Sequence, residues 1–241
     1  MSKIIISLAM LQVLSSCVNA KFFDNRPCED KSANCLATHI QAAMPVFTKG
    51  SFEYGLDVLD PYSMENFEVL LAGGPQIHIK RGHAKGLRKC VVDYARMVDD
   101  TLETQFHCNI SFRGKYKSTG RLLMFSFDGD GDALVKCMNL KIHNIMTLGT
   151  REDANGRKFY VMKNSTTDHS YDGRVTYSLT NLLKGSPLAG KAVLQFMNEN
   201  WRVVAEEFGD PFVQFGVSKF VTNVERLLNV VPKDQLLEAN F

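Results

Sequence analysis

Residues 102–113 read LETQFHCNISFR, a stretch in which apolar and polar side chains alternate almost without a break. Only Thr104 interrupts the apolar face. A period of two predicts a strand that buries one face and leaves the other in water. The pair Asp99-Asp100 separates this stretch from residues 89–98, which we interpret as the other arm of a β-hairpin.

The same period recurs from about residue 76 to residue 179, which extends the hairpin into a long antiparallel meander. Segments rich in Gly, Asp and Asn interrupt the apolar runs, and residues 128–132 and 153–156 are predicted turns. The further predicted strands are 120–127, 133–146, 159–163 and 174–179.

The C-terminal part has helical periodicity. One apolar stripe runs from Val193 to Phe208 and a second from Phe212 to Val231, with Gly209-Asp210-Pro211 expected to break or kink the helix between them. Pro232 is expected to end it. A sheet with one wet face must bury the other, and this helix is the long amphipathic partner available. We therefore predict an α+β fold, a curved antiparallel sheet wrapped around the C-terminal helix.

A shorter helix is predicted near the N-terminus. Apolar residues recur at helical spacing between Leu36 and Met44, and Pro45 is expected to stop the helix.

The first residues have the pattern of a secretory signal peptide. Lys3 precedes a short apolar stretch that reaches the small residues around Ala20, where we place the cleavage. No later stretch approaches the 18 or so uninterrupted apolar residues of a membrane span. The predicted organisation is a signal peptide at 1–20 and one domain at 21–241, secreted into an extracellular fluid and without a transmembrane segment.

Charge argues against a polyanionic partner. The chain has 28 Lys and Arg against 26 Asp and Glu, whereas nucleic-acid-binding proteins concentrate basic residues and have a high pI. We expect no nucleic-acid partner.

Five cysteines remain once Cys17 leaves with the signal peptide. Cys28 and Cys35 are predicted to form a disulfide because only six residues separate them. The predicted hairpin brings Cys90 near Cys108, which leaves two alternatives: a bridge, or two buried thiols. Cys137 is the candidate for the odd thiol, on the wetter face of its strand.

Two sequons predict glycosylation at Asn109 and Asn164. The alternation around Asn109 points that side chain to solvent, where modification needs it.

The sequence lacks the common catalytic and metal-binding patterns. Asp128, Asp130 and Asp132 have the spacing of a calcium loop, but Ala133 stands where Gly is needed and Asn139 where Glu is needed. No histidine pair has i,i+4 spacing, and no serine lies in G-x-S-x-G. We predict a non-enzyme with no catalytic residues, no metal and no cofactor.

Two motifs of the C-terminal part, Asn198-Glu199-Asn200-Trp201 and the late Val231-Pro232, are specific in combination. They resemble the takeout and juvenile-hormone-binding family of insect secreted proteins. Tyr177–Gly185, Leu59-Asp60-Pro61, Gly86-Leu87, Gly120-Arg121-Leu122 and Gly129-Asp130-Gly131 extend the resemblance through the chain, as do Cys28 and Cys35. No cysteine follows Cys137, so a disulfide that anchors the C-terminal helix, as in the hormone-carrier branch, is impossible here, which favours the takeout branch.

The resemblance implies a TULIP-like fold with an elongated apolar tunnel and a secreted carrier of a hydrophobic small molecule. Terpenoid hormones, fatty acyl chains and quinone-like lipids are the ligand classes it implies, with links to circadian or feeding physiology and to haemolymph-like fluid. A receptor or another carrier protein is a further partner to consider. Inward-facing positions supply the candidate tunnel lining: Val92, Phe106, Ile110, Phe112, Leu122, Met124, Val193, Met197, Phe212 and Phe220. The alternatives are a secreted signalling protein with a filled core and an esterase-like enzyme for which no residue can be nominated.

Overall fold

The computed structural model describes residue 28 and residues 32–71, 73–122, 125–126 and 128–236, without the side chains of residues 122, 125 and 126. The predicted signal peptide and Met124 lie outside the described residues. The strands are β1 (Tyr62–Leu70), β2 (Gln76–Lys85), β3 (Val91–Val98), β4 (Thr101–Thr119), β5 (Arg121–Leu122), β6 (Phe125–Ser126), β7 (Gly129–Glu152), β8 (Lys158–Tyr171) and β9 (Val175–Leu179). The helices are α1 (Ala33–Lys49), a 3-10 turn at Leu87–Lys89, α2 (Pro187–Glu199), α3 (Trp201–Phe208), α4 (Asp210–Val230) and α5 (Lys233–Leu236).

The two longest strands, β4 and β7, form the spine of a seven-stranded antiparallel sheet. The other edge of β4 pairs with β3 and then with β2. The other edge of β7 pairs with β9 and then with β8. The sheet is open, and helices α3 and α4 pack against its inner face. The α+β fold with a C-terminal helix on a curved antiparallel sheet is confirmed.

Irregular register bends this sheet. Shifts occur between Ile79 and Arg81, Val92 and Tyr94, Cys108 and Ile110, and Thr147 and Leu148. A bulge adds local twist and bends its strand. Four such shifts help the sheet to curve around the helices.

Strand β1 was not among the predicted strands. Asn66 has φ 50° and no partner in the β1–β2 register. The alternation therefore changes phase by one residue, from Tyr62 and Met64 to Phe67 and Val69. In a strand of nine residues this phase change hides the two-residue alternation from the sequence pattern.

The predicted turn at residues 128–132 is wrong. Residues 129–132 open β7 instead, and their carboxylates point outward to lysines of neighbouring strands. Asp130 lies 2.8 Å from Lys80, and Asp132 lies 3.0 Å from Lys115. Gly131 allows close packing, since a Cβ there would be 2.1 Å from the Thr180 carbonyl oxygen.

Helix α1 continues past Pro45, so the predicted stop there is also wrong. Proline removes a backbone donor, but the following turn buries Phe47 and Thr48. The Phe47 ring meets the Phe220 ring edge-on at 5.1 Å, and the Thr48 hydroxyl donates to the Met44 carbonyl. Tertiary packing therefore retains the last turn. Cys28 and Cys35 are joined by a disulfide at the start of this helix.

The C-terminal helical region consists of three consecutive segments. Gly209 has helical dihedrals, so the chain between α3 and α4 is kinked rather than broken. A Cβ at Gly209 would lie 2.3 Å from the Tyr171 hydroxyl. Because glycine has no Cβ, the kink can approach β8 this closely. Helix α4 ends at Val230, just before Pro232, as predicted.

Two of the motifs quoted above dock distant segments on each other. The buried Asp60 carboxylate accepts hydrogen bonds from the backbone N–H groups of Gly86 and Arg88. The Asn198 side chain bonds both the N–H and the carbonyl of Tyr177, which fixes α2 on β9.

Candidate functional site

An apolar cavity of about 320 Å³ lies between the sheet and the C-terminal helices. On β7 its lining extends from Ala133 to Asn144, a distance of about 35 Å along an extended strand. On α4 the lining extends from Phe212 to Val221. The cavity therefore runs along both elements, and its volume lies within the usual range of small-molecule sites.

Six of the ten predicted lining residues lie on this cavity. They are Phe106, Ile110, Phe112, Met197, Phe212 and Phe220. Val92 and Val193 pack in the neighbouring core instead. The Leu122 side chain and Met124 lie outside the described residues.

Phenylalanines of α4 form much of the helical wall. Phe220 packs edge-on against Phe106 at 6.0 Å, and Phe215 packs against Tyr62 at 5.7 Å and Phe67 at 4.3 Å. The pairs tie α4 to two strands, β1 and β4, and all of these rings except that of Phe67 also line the cavity. Edge-on pairs of this kind stabilise by about 1 kcal/mol beyond their buried area.

A buried amide on α4 helps to hold the segment that places Leu59 in the cavity wall. Asn223 on α4 is fully buried; its Oδ1 accepts from the Asp57 N–H at 3.1 Å, and its Nδ2 donates to the Asp57 carbonyl at 2.8 Å. The segment after α1 is thereby fixed on the helix, with Leu59 in the cavity wall.

Cys137 lines the cavity, so its predicted place on the wetter face is wrong. The cause is the register shift at Asn139, which has φ 48° and adds one residue to β7. Residues 133, 135 and 137 therefore share the inner face with Leu140 and Ile142. Cys90 and Cys108, which sequence left undecided, are joined by a disulfide and also line the cavity.

The Cys137 thiol is expected to resist alkylation in the folded protein. Burial raises its pKa to about 11, and the thiolate is the reactive form. At pH 8 we expect iodoacetamide to modify Cys137 about 100-fold more slowly than in the unfolded chain, with the rate rising about tenfold per pH unit toward pH 11. Peptide mapping by mass spectrometry measures this, and rapid labelling at pH 7 would contradict it.

Tyrosine hydroxyls are among the few polar groups of the lining. The Tyr116 hydroxyl donates to the Thr180 carbonyl at 3.1 Å, and burial raises its pKa to about 12. Tyr171 is buried, and burial raises its pKa further, so its hydroxyl stays protonated. Among the described residues that hydroxyl has no hydrogen-bond partner.

Tyr171→Phe is expected to leave the ligand-free protein as stable or to stabilise it by about 1 kcal/mol. A buried hydroxyl without a partner costs free energy, and phenylalanine keeps the ring packing. Urea unfolding of both proteins measures the difference. A loss above 1 kcal/mol would show that the hydroxyl is satisfied in the ligand-free protein.

Both sequon asparagines are exposed on the outer face of the sheet, Asn109 in β4 and Asn164 in β8. Glycosylation at these sites stays a prediction.

The described residues contain no group of three His, Cys, Asp or Glu side chains that could hold a metal ion. In the same part of the chain, no helix is both long and apolar enough to cross a bilayer.

Comparisons with known proteins agree with this geometry. The family model described as haemolymph juvenile hormone binding protein (JHBP) matches residues 6–238. The crystal structure of Takeout 1 from Epiphyas postvittana superposes with a TM-score of 0.82 at 29% identity, covering 88% of this chain and 99% of that one. A lipopolysaccharide binding protein gives a TM-score of 0.41 at 13% identity, covering 87% of this chain and 41% of that one, which is too low to support an argument. No curated protein matches the chain.

Proposed function

Because the chain belongs to the haemolymph juvenile hormone binding protein family, we propose that it is a secreted carrier of a hydrophobic small molecule. The observation that supports this most is the elongated apolar cavity of about 320 Å³. An apolar cavity of about 150 Å³ already stays dry and binds apolar molecules, and this one is about twice as large. Each methylene transferred from water contributes about 0.8 kcal/mol.

The ligand is a terpenoid, a fatty acyl chain or a quinone-like lipid. The lining supports this choice, since it is built from Phe, Leu, Ile, Val and Met side chains with tyrosine hydroxyls at a few points. Its two charged members, Lys85 and Lys219, leave the rest of the wall neutral. A role in circadian or feeding physiology follows from the resemblance to the takeout branch alone.

Secretion is supported by the N-terminal pattern and by two disulfides, which persist in oxidising compartments. Outward-facing sequons at Asn109 and Asn164 fit the same route. The protein would then act in an extracellular fluid such as haemolymph.

Native purification followed by extraction tests the proposal. Mass spectrometry of an organic extract should recover the same apolar compound repeatedly, and that compound should displace a fluorescent fatty acid from the protein. Recovery of no lipid, together with no binding of the fluorescent fatty acid, would refute carriage. That result would favour the alternative of a signalling protein, which needs no ligand.

A further inference from the structure

A row of polar side chains crosses the apolar inner face of the sheet. Thr104 on β4 pairs with Asn144 on β7, which pairs with Thr167 on β8. Thr104 is 1% exposed and Asn144 5% exposed. Their neighbours on the same face of β4 and β7 are apolar, namely Leu102, Phe106, Ile142 and Met146.

Contacts with β8 set the orientation of the Asn144 amide. Its Nδ2 donates to Thr167 Oγ1 at 2.6 Å, to Ser165 Oγ at 3.0 Å and to the Thr166 carbonyl oxygen at 3.3 Å. A carbonyl oxygen can only accept, so the nitrogen must face β8. The amide oxygen is therefore held in a fixed position on the other side.

Two buried polar atoms of the row have no partner within the described part of the chain. They are Asn144 Oδ1 and Thr104 Oγ1, on directly paired residues of neighbouring strands. Leaving such atoms unpaired costs roughly 1–3 kcal/mol each. Asn144 and Thr167 both line the cavity, whereas Thr104 lies beside Asn144 on the neighbouring strand and outside the lining, so a bound molecule meets the row at Asn144.

We infer that this row binds a hydroxyl group at one end of the apolar ligand. The ligand O–H donates to Asn144 Oδ1, and its oxygen accepts from the Thr104 hydroxyl, so one group satisfies both unpaired atoms. Esters, ethers and quinones offer only acceptors and leave Asn144 Oδ1 unpaired. An ionised carboxylate would be desolvated in a row that has no charged side chain.

The favoured ligand class is thus a long-chain or terpenoid alcohol. This inference rests on the proposed carrier function and makes it more specific. The inference also predicts that two ligands of similar length and apolar area bind with different affinities when only one of them has a hydroxyl group.

Competition between a matched alcohol and ether tests the inference. 1-Hexadecanol and its methyl ether are each titrated against N-phenyl-1-naphthylamine bound to the full protein. We expect the wild type to prefer the alcohol by about tenfold, the value of one net hydrogen bond. In Asn144→Leu the preference should vanish because the alcohol loses its acceptor, so the ratio of the two affinities should approach one.

Thr104→Val provides a second variant, since it removes one hydroxyl and nearly preserves shape. It removes the donor to the ligand oxygen, which alcohol and ether both offer, so both should bind more weakly by a similar factor and the preference for the alcohol should remain. This variant keeps the test valid if Asn144→Leu fails to fold. Equal affinity of the wild type for alcohol and ether, a preference that survives in Asn144→Leu, or an unchanged affinity for the alcohol in Thr104→Val would overturn the inference alone. If the wild type binds neither compound nor the probe, the carrier function itself fails.

Discussion

Gly216→Trp is expected to lower the affinity for apolar ligands at least about 100-fold, which corresponds to about 2.7 kcal/mol. Gly216 lies in the interior of α4 and lines the cavity. Gly216 is exposed, and apart from its own helix backbone and chain neighbours no atom of the described residues lies within 4 Å of a Cβ built at this position. An indole there can occupy the ligand's space without displacing the backbone.

The presence of glycine at this position needs a reason. Glycine within a helix destabilises it by about 0.5–1 kcal/mol relative to alanine. Gly216 has helical dihedrals and no close neighbour, so neither a turn nor tight packing requires it. An open cavity is a function that the missing side chain does provide.

Gly216→Ala is the matched control for this prediction. It should stabilise the protein by up to about 1 kcal/mol and preserve ligand affinity, because a methyl group fills little of the cavity. Displacement titration of a fluorescent fatty acid measures binding, and urea unfolding measures stability. Full binding by a folded Gly216→Trp protein would mean that the ligand does not occupy this part of the cavity.

The fold could be predicted because its two periods are long and clean. The alternation in β4 continues from residue 102 to residue 112 on one face, and the C-terminal stripes continue for some forty residues. The wet face of the sheet then requires an apolar partner for the other face. Both periods are averages over many residues, so a single irregular position does not change the predicted type of element.

The site depended on single residues that sequence cannot reveal. An extra residue at Asn139 reverses the faces of β7, which moved Cys137 from the outer face to the cavity. Whether Cys90 and Cys108 pair depends likewise on register. Asn144 and Gly216 were not predicted because their roles appear only when three strands and a helix are placed together, although an asparagine at an inward position of β7 was a usable signal.

Asn223→Ala is expected to lower the free energy of unfolding by about 3 kcal/mol, the largest loss we expect from a single polar side chain. The truncation leaves the N–H and the carbonyl of Asp57 without the two hydrogen bonds that the buried amide supplies. Asp57 is itself exposed, so its freed N–H and carbonyl groups are expected to take up water or move away from α4. Either outcome loosens the segment that holds Leu59 in the cavity wall.

Arg226→Ala separates this effect from ordinary surface electrostatics. Arg226, on the same helix, pairs with the Asp57 carboxylate at 2.8 Å and donates to the Gly55 carbonyl oxygen at 3.1 Å, but these contacts are exposed. An exposed ion pair contributes less than about 1 kcal/mol. Urea unfolding should therefore give a much lower free energy of unfolding for Asn223→Ala than for Arg226→Ala. Limited proteolysis should cleave residues 50–59 faster in Asn223→Ala alone. Equal losses in the two variants would show that charge, rather than the buried amide, holds this wall of the cavity.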